Sequence, residues 1–207
     1  KELAARAIHR LSDRGEAPFV AVNCAALPEE LIESELFGHR KGAFTGARHD
    51  HPGLFRAAGS GTLFLDEVTE MSAETQGKLL RVLQERTLRP VGSVEEVPVS
   101  ARVLASTNRD PAWAMGRGLL REDLYYRLQV HEIRLPPVRE RPEDIPLLIN
   151  HFVRLNNERY GRQIRGVRPG ALEQALRNPW PGNVRELMNA LERAFSITEG
   201  EWIELGD

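Results

Sequence analysis

The sequence predicts an α/β fold: a parallel sheet wrapped by helices, followed by a small helical unit. Three observations lead there. Gly61-Thr62-Leu63-Phe64-Leu65-Asp66-Glu67 is an apolar run that ends abruptly in two acids. A strand buried on both faces reads this way, and such strands belong to parallel sheets covered by helices. Further strand-like runs at 19–22 and 101–106 are separated by helical patterns. Beyond Arg139 the strand pattern stops and three helical patterns follow. These shifts divide the chain into an α/β part, 1–139, and a helical part, 140–207.

In order, Glu2 to Leu11 sets Leu3, Ala4, Ala7, Ile8 and Leu11 on one helical face. Ser12 to Pro18 is a polar turn before the strand Phe19-Val20-Ala21-Val22. Pro28 opens a helix through Leu31, Ile32 and Leu36. That helix delivers ELFGHRKGAFTGA, Glu35 to Ala47, whose glycines 38, 42 and 46 argue against helix or strand. A mobile loop offering Phe44 is one reading; a connection whose Phe44 tucks into the core is the other. His49-Asp50-His51 invites a metal, but with no cysteine or third histidine nearby it reads better as polar loop.

After the Asp66-Glu67 strand, Ser72 caps a helix from Ala73 to Arg86 with Leu79, Val82 and Leu83 inward. Arg89 to Pro98 is a turn-rich insertion. The strand Ala101 to Ser106 ends in Thr107-Asn108, and Val130 to Leu135 reads as the last strand, broken by Pro136-Pro137. In the helical part, Ile145 to Tyr160 buries Ile145, Leu148, Phe152 and Leu155, and Pro169 to Asn178 buries Leu172 and Leu176. Asn183 caps a final helix in which Val184, Leu187, Met188, Leu191, Ala194 and Phe195 form the core stripe.

The composition narrows the class of function. At 207 residues, 41% hydrophobic and 28% charged, this is an ordinary globular composition. A net charge of −2 gives no overall attraction to nucleic acid. One cysteine, Cys24, excludes an internal disulfide and suits a reducing compartment. No apolar run reaches the roughly 18 residues of a membrane helix, so the chain is expected to be soluble and cytoplasmic. Lys1 starts inside a helical pattern without a cap, as expected of a piece of a longer protein.

Gly42-Ala43-Phe44-Thr45-Gly46-Ala47, with ESELFGH before it, resembles the signature of the bacterial sigma-54-dependent enhancer-binding activators, a branch of the AAA+ ATPases. GTLFLDE is similar to their Walker B motif, REDLYYRL to their arginine-finger segment and WPGNVREL to their second-sensor motif. The resemblance is collinear over essentially the whole chain. It implies ATP hydrolysis with Mg²⁺ that remodels sigma-54 RNA polymerase, in a homo-oligomeric ring, a hexamer in this family. The loop 42–47 would grip the sigma factor through Phe44 and Thr45. Lys1 would contact phosphates beside Glu2, Asp66 would hold Mg²⁺ through water, and Glu67 would polarise the attacking water. Asn23 would restrain Glu67, Thr107 and Asn108 would form the first sensor, and Arg185 would lie near the nucleotide. Arg121 and Arg127 would serve a neighbouring subunit's site, although by residue type alone they are surface arginines beside Glu122 and Asp123.

One part of the pattern is thin. Of the phosphate-binding loop GxxxxGK[ST], only its lysine is represented, as Lys1, and weak nucleotide binding is the expectation for the sequence as it stands. A catalytically silent module that binds the sigma factor is therefore the alternative. A nucleic-acid-remodelling AAA+ enzyme fits less well, since no basic stripe is present. DNA would be reached only through a domain outside this sequence.

Overall fold

The computed structural model describes residues 1–204 and divides the chain into two units, Lys1–Ile133 and Arg134 onward. In the first, α1 (Glu2–Arg10), β1 (Phe19–Asn23), α2 (Glu29–Phe37), α3 (Leu54–Ala58) and β2 (Thr62–Asp66) lead to α4 (Ala73–Glu85). A short hairpin follows, β3 (Thr87–Leu88) with β4 (Val97–Pro98). Then come β5 (Arg102–Ala105), α5 (Pro111–Gly116) and α6 (Glu122–Leu128).

β2 lies between β1 and β5, parallel to both, so the apolar run is the sheet's central strand. Its side chains divide by pleat. Leu63 and Leu65 enter a core with Ile32 and Leu36 of α2, Phe55 and Ala58 of α3, and Leu79 and Leu83 of α4. On the other face Phe64 stacks on Phe19, and buried Thr62 hydrogen-bonds His9 of α1 at 2.9 Å.

That histidine corrects the face expected for α1. Leu3 and Leu11 are 84% and 90% exposed, whereas Ala5 and His9 are buried. Apolar spacing names a stripe, but here Thr62 satisfies the imidazole and Phe19 meets its ring at 5.2 Å. That partner lets a histidine take the inward position ahead of leucine.

The strand expected at Val130–Leu135 does not form. Gln129 and Val130 turn the chain off α6, the Val130 amide donating to Leu128 at 2.8 Å. Val130 and Ile133 are exposed. A strand exists only with a ladder partner, and none of the described strands pairs with this stretch. Conversely α5 went unforeseen, though Asp110-Pro111 is a cap followed by a first-turn proline, and Asp110 accepts from the Trp113 amide at 2.8 Å.

In the second unit α7 (Asp144–Tyr160), β6 (Gly166–Val167), α8 (Pro169–Arg177), α9 (Asn183–Ile197) and β7 (Trp202–Ile203) close around Ile149, Phe152, Trp180, Leu187, Leu191 and Phe195. The parallel pair β6–β7 is two residues long, too short to leave a pattern. Leu155 and Leu176 lie outside the core, their expected places taken by Ile149 and Val153 on α7 and by Ala171 and Ala175 on α8. The small alanines let helices approach more closely than leucines would. Asn183 is not the cap of α9. It is the helix's first residue after Gly182, and its Oδ1 accepts from the Val138 amide at 3.0 Å.

Gln76, buried in α4, joins three backbone groups. Its Nε2 donates to the Met71 and Leu119 carbonyls, each at 2.9 Å, and its Oε1 accepts from the Arg121 amide at 2.8 Å. Gln76→Leu leaves all three without that partner, and each unmatched buried group costs about 1–3 kcal/mol. Urea denaturation is expected to show a loss of about 3 kcal/mol; a change near zero would mean water replaces the amide.

Candidate functional site

The parallel register brings Asn23 beside Asp66, and Ser106 follows the end of β5 next to them. Cys24 donates its amide to the Asp66 carbonyl at 2.9 Å, Ser106 to that of Leu65 at 2.8 Å, and Val68 to that of Ser106 at 2.9 Å. The Ser106 hydroxyl donates to Asp66 Oδ1, fixing the first acid. Glu67 then leaves the strand with φ 58° and ψ 53°. A non-glycine residue held there costs about 1–2 kcal/mol, and such strain collects at functional sites.

The Glu67 carboxylate is held from two sides. Lys1 Nζ lies 2.5 Å from Oε1, and the Asn108 amide donates to Oε2 at 2.9 Å. Thr107 shares a hydrogen bond with Thr69 at 3.0 Å. Cys24, beneath the acids, has its thiol pushed up to about 12 by burial first and by Asp66 second, so it stays protonated and neutral. The structure therefore gathers Lys1, Asn23, Asp66, Glu67, Thr107 and Asn108 at the carboxyl end of the sheet, where open α/β sheets take their ligands.

Other candidates are placed elsewhere. Glu2 pairs with Arg6 one turn along α1. Asn23 stays in the cluster beside Asp66, but its Oδ1 accepts from the Ala25 amide at 2.9 Å rather than engaging Glu67. Arg121 precedes α6, its exposed guanidinium on Asp123 at 2.7 Å and its amide on Gln76. Arg127 donates to the Leu83 carbonyl near the end of α4 at 2.9 Å. Arg185 stands exposed in the first turn of α9, within the second unit. Ser106 and Gln76, which hold Asp66 and Arg121, were missed in the sequence because a lone Ser or Gln carries no spacing signal.

An ammonium and two carboxylates suit phosphate and a divalent cation in chemistry. Among the described residues no three His, Cys, Asp or Glu side chains converge to hold a metal alone. Magnesium commonly takes one or two carboxylates together with substrate phosphates, and the donor set fits that pattern.

The glycine-rich segment forms a second constellation. Gly38 and Gly53 pinch its base, since a Cβ on Gly38 would lie 2.4 Å from the His51 carbonyl oxygen and one on Gly53 2.4 Å from the Gly38 nitrogen. His39 and His51 bridge antiparallel above that base, at 2.9 and 2.8 Å. At the tip Gly42 donates to the Ala47 carbonyl at 2.8 Å, and Ala47 to that of Phe44 at 3.0 Å. Ala47 is buried, Thr45 and Gly46 are exposed, and Phe44 remains 39% exposed with its ring edge-on to His39 at 4.9 Å.

The β3–β4 hairpin is fastened to this segment. Arg40 donates its amide to Val91, and Val91 donates to Gly38. The Arg40 guanidinium joins Asp50 at 2.9 Å and Glu95 at 2.8 Å. The Lys41 amide, then Arg40, holds the Asp50 carboxyl below its ordinary range. The two loops form one hydrogen-bonded unit.

The comparisons with known proteins agree with this layout. A family model described as "Sigma-54 interaction domain" matches residues 1–134, and one described as "AAA+ ATPase lid domain" matches 139–207. The chain is 52% identical over 198 residues to the transcriptional regulatory protein GlrR of Escherichia coli (strain K12), covering 96% of this chain and 45% of that protein. It is 50% identical over 203 residues to ZraR of Salmonella typhimurium, covering 98% and 46%. The crystal structure of NtrX from Brucella abortus in complex with ATP matches with TM-score 0.90 at 38% identity, covering 99% of this chain and 45% of that one. The chain thus spans under half the length of the relatives it matches.

The contact between the loops gives a direct test. Gly92 has φ +76°, and a Cβ there would lie 2.7 Å from the Ala43 Cβ. Gly92→Ala is expected to part the loops, exchanging the Arg40 and Val91 amide hydrogens at least about tenfold faster. Global unfolding changes little. Unchanged exchange at both amides would show that the loops do not depend on that contact.

Proposed function

The chain belongs to the sigma-54 interaction domain family, with its AAA+ lid, and from that premise we propose that it hydrolyses ATP to remodel sigma-54 RNA polymerase and activate transcription. The observation that carries this reading is the cluster Lys1–Asp66–Glu67–Asn108 together with the routes that leave it. α2 follows β1 and ends at the Gly38 loop; α4 follows the Asp66-Glu67 turn and ends at the β3–β4 hairpin. Lys78 of α4 pairs with Glu33 of α2 at 2.6 Å, so the two helices are tied together. A change at the acids thus has two braced paths to the loop tips.

Bound ATP and Mg²⁺ would supply the scissile phosphoryl bond and the neutralising cation. Lys1 is the ammonium that would meet the phosphates, and Asp66, oriented by Ser106, would help to hold the cation. Glu67 orients the attacking water and accepts its hydrogen bond; Asn23, Thr107 and Asn108 border it. Gly42 to Ala47 presents Phe44 and Thr45 to the sigma factor. Arg121 and Arg127 face a neighbouring subunit's nucleotide within a homo-oligomeric ring, taken as a hexamer. DNA is reached through a domain outside this chain.

In a chain extended upstream of Lys1, two substitutions separate hydrolysis from grip. Glu67→Gln keeps nucleotide binding while turnover falls about 10² to 10⁴-fold, as expected on losing a water-orienting carboxylate. Phe44→Ala keeps turnover within a few-fold and abolishes promoter opening. Both are read by phosphate release and an open-complex assay; normal opening by Phe44→Ala would remove the loop from the mechanism.

Sharing of the site between subunits has its own test. A trans arginine is worth about 10³ to 10⁵ in rate, and Arg121→Ala is expected to lose turnover on that scale with the fold intact. Mixing Arg121→Ala with Glu67→Ala protein should restore activity, because some interfaces then hold both intact groups, and dilution should remove it. A mixture dead at every concentration would place Arg121 in its own subunit's site.

A further inference from the structure

We infer that His39 is a positioning residue that ties Phe44 to helix α2, so that the gripping ring follows the helix through side chains and not through the loop backbone. This rests on the reading of Phe44 as the gripping residue. The backbone route passes through Gly38, Gly42 and Gly46, the residue type that resists displacement least, and owes its stiffness to bonds made across the loop. A second, stiffer route runs beside it. Ser34 in the last turn of α2 is buried, and its hydroxyl lies 2.6 Å from His39 Nδ1. The His39 backbone is clamped to His51 in both directions, and the two imidazoles stack at 5.6 Å and 15°. Phe44 rests against that fixed ring, at 4.9 Å and 67°.

Among the described residues, the contacts that orient the imidazole come from α2 and from the base of the loop, while the contact it offers goes to the tip. Aromatic pairs favour this edge-on geometry. Moving α2 therefore moves Ser34, Ser34 turns the His39 ring, and the ring carries Phe44. Without the Ser34 hydroxyl the ring keeps its clamped backbone but loses the bond that fixes its orientation.

The test measures binding of fluorescently labelled sigma-54 to variants in ADP–aluminium fluoride, beside ATP turnover and melting temperature. Ser34→Ala removes the hydroxyl and keeps the imidazole; His39→Phe keeps a ring edge for Phe44 and removes the nitrogen. Each is expected to weaken binding about tenfold, the scale of one lost hydrogen bond, with turnover within twofold. Because both break the same link, the double variant should bind like either single one. Wild-type affinity in both singles while Phe44→Ala binds poorly would overturn the proposal. So would losses that multiply, or turnover falling in step with binding. Wild-type binding by Phe44→Ala would instead sink the gripping role of the loop, and this link with it.

Discussion

The structure of the first unit depends on β2 being hydrogen-bonded along both edges and buried on both faces. A strand in that position has no freedom to slip, because a one-residue shift would exchange Leu63 and Leu65 for Thr62 and Phe64 on opposite faces. The acids at its end are therefore placed by the packing of its middle. Asp66 inherits a fixed position beside Asn23, and Ser106 reaches it because β5 runs parallel in register with β2. Glu67, the first residue beyond the ladder, is where the chain turns sharply, and its carboxylate is held between Lys1 and the Asn108 amide.

From that end of the sheet the construction is one of levers. α2 follows β1 and α4 follows β2, each ends at a loop, and the Glu33–Lys78 pair braces them. The loops are fastened to each other by the Arg40 bonds and by the contact of Ala43 with Gly92. Flexible, glycine-rich backbone is thus stiffened by partners that are local in space and distant in sequence. Such an arrangement joins the two loops into one body.

Several elements were legible without coordinates because their signal is local. The β2 run, the α4 cap at Ser72, the α2 start after Pro28 and the loop between them were each written in spacing or residue type, and the helical unit announced itself by the loss of strand pattern. The acids followed from the end of the apolar run. What misled was any judgement that needed a neighbour. Leu3, Leu11, Leu155 and Leu176 look like core residues by hydrophobicity but are exposed, while His9 and the alanines of α8 go inside because of what faces them. Val130–Leu135 has a strand's composition and no partner strand among those described.

By itself, then, the sequence determined the fold class, the family resemblance and the identity of the residues that carry charge and shape: Lys1, Asp66, Glu67, Arg121 and the Gly42–Ala47 loop. The acids are set by residue type and short-range order, which the chain displays directly, while Lys1, Arg121 and the loop were picked out by the collinear resemblance of whole motifs. The tertiary structure alone decided which groups hold them: Ser106 on Asp66, Gln76 on Arg121, Ser34 on His39 and Gly92 against Ala43. The physical reason is that hydrogen bonds and close packing act over a few ångströms of space, while Ser106 lies forty residues from Asp66 and Gln76 forty-five from Arg121. No pattern in the chain marks such a pair until the sheet and helices have brought it together.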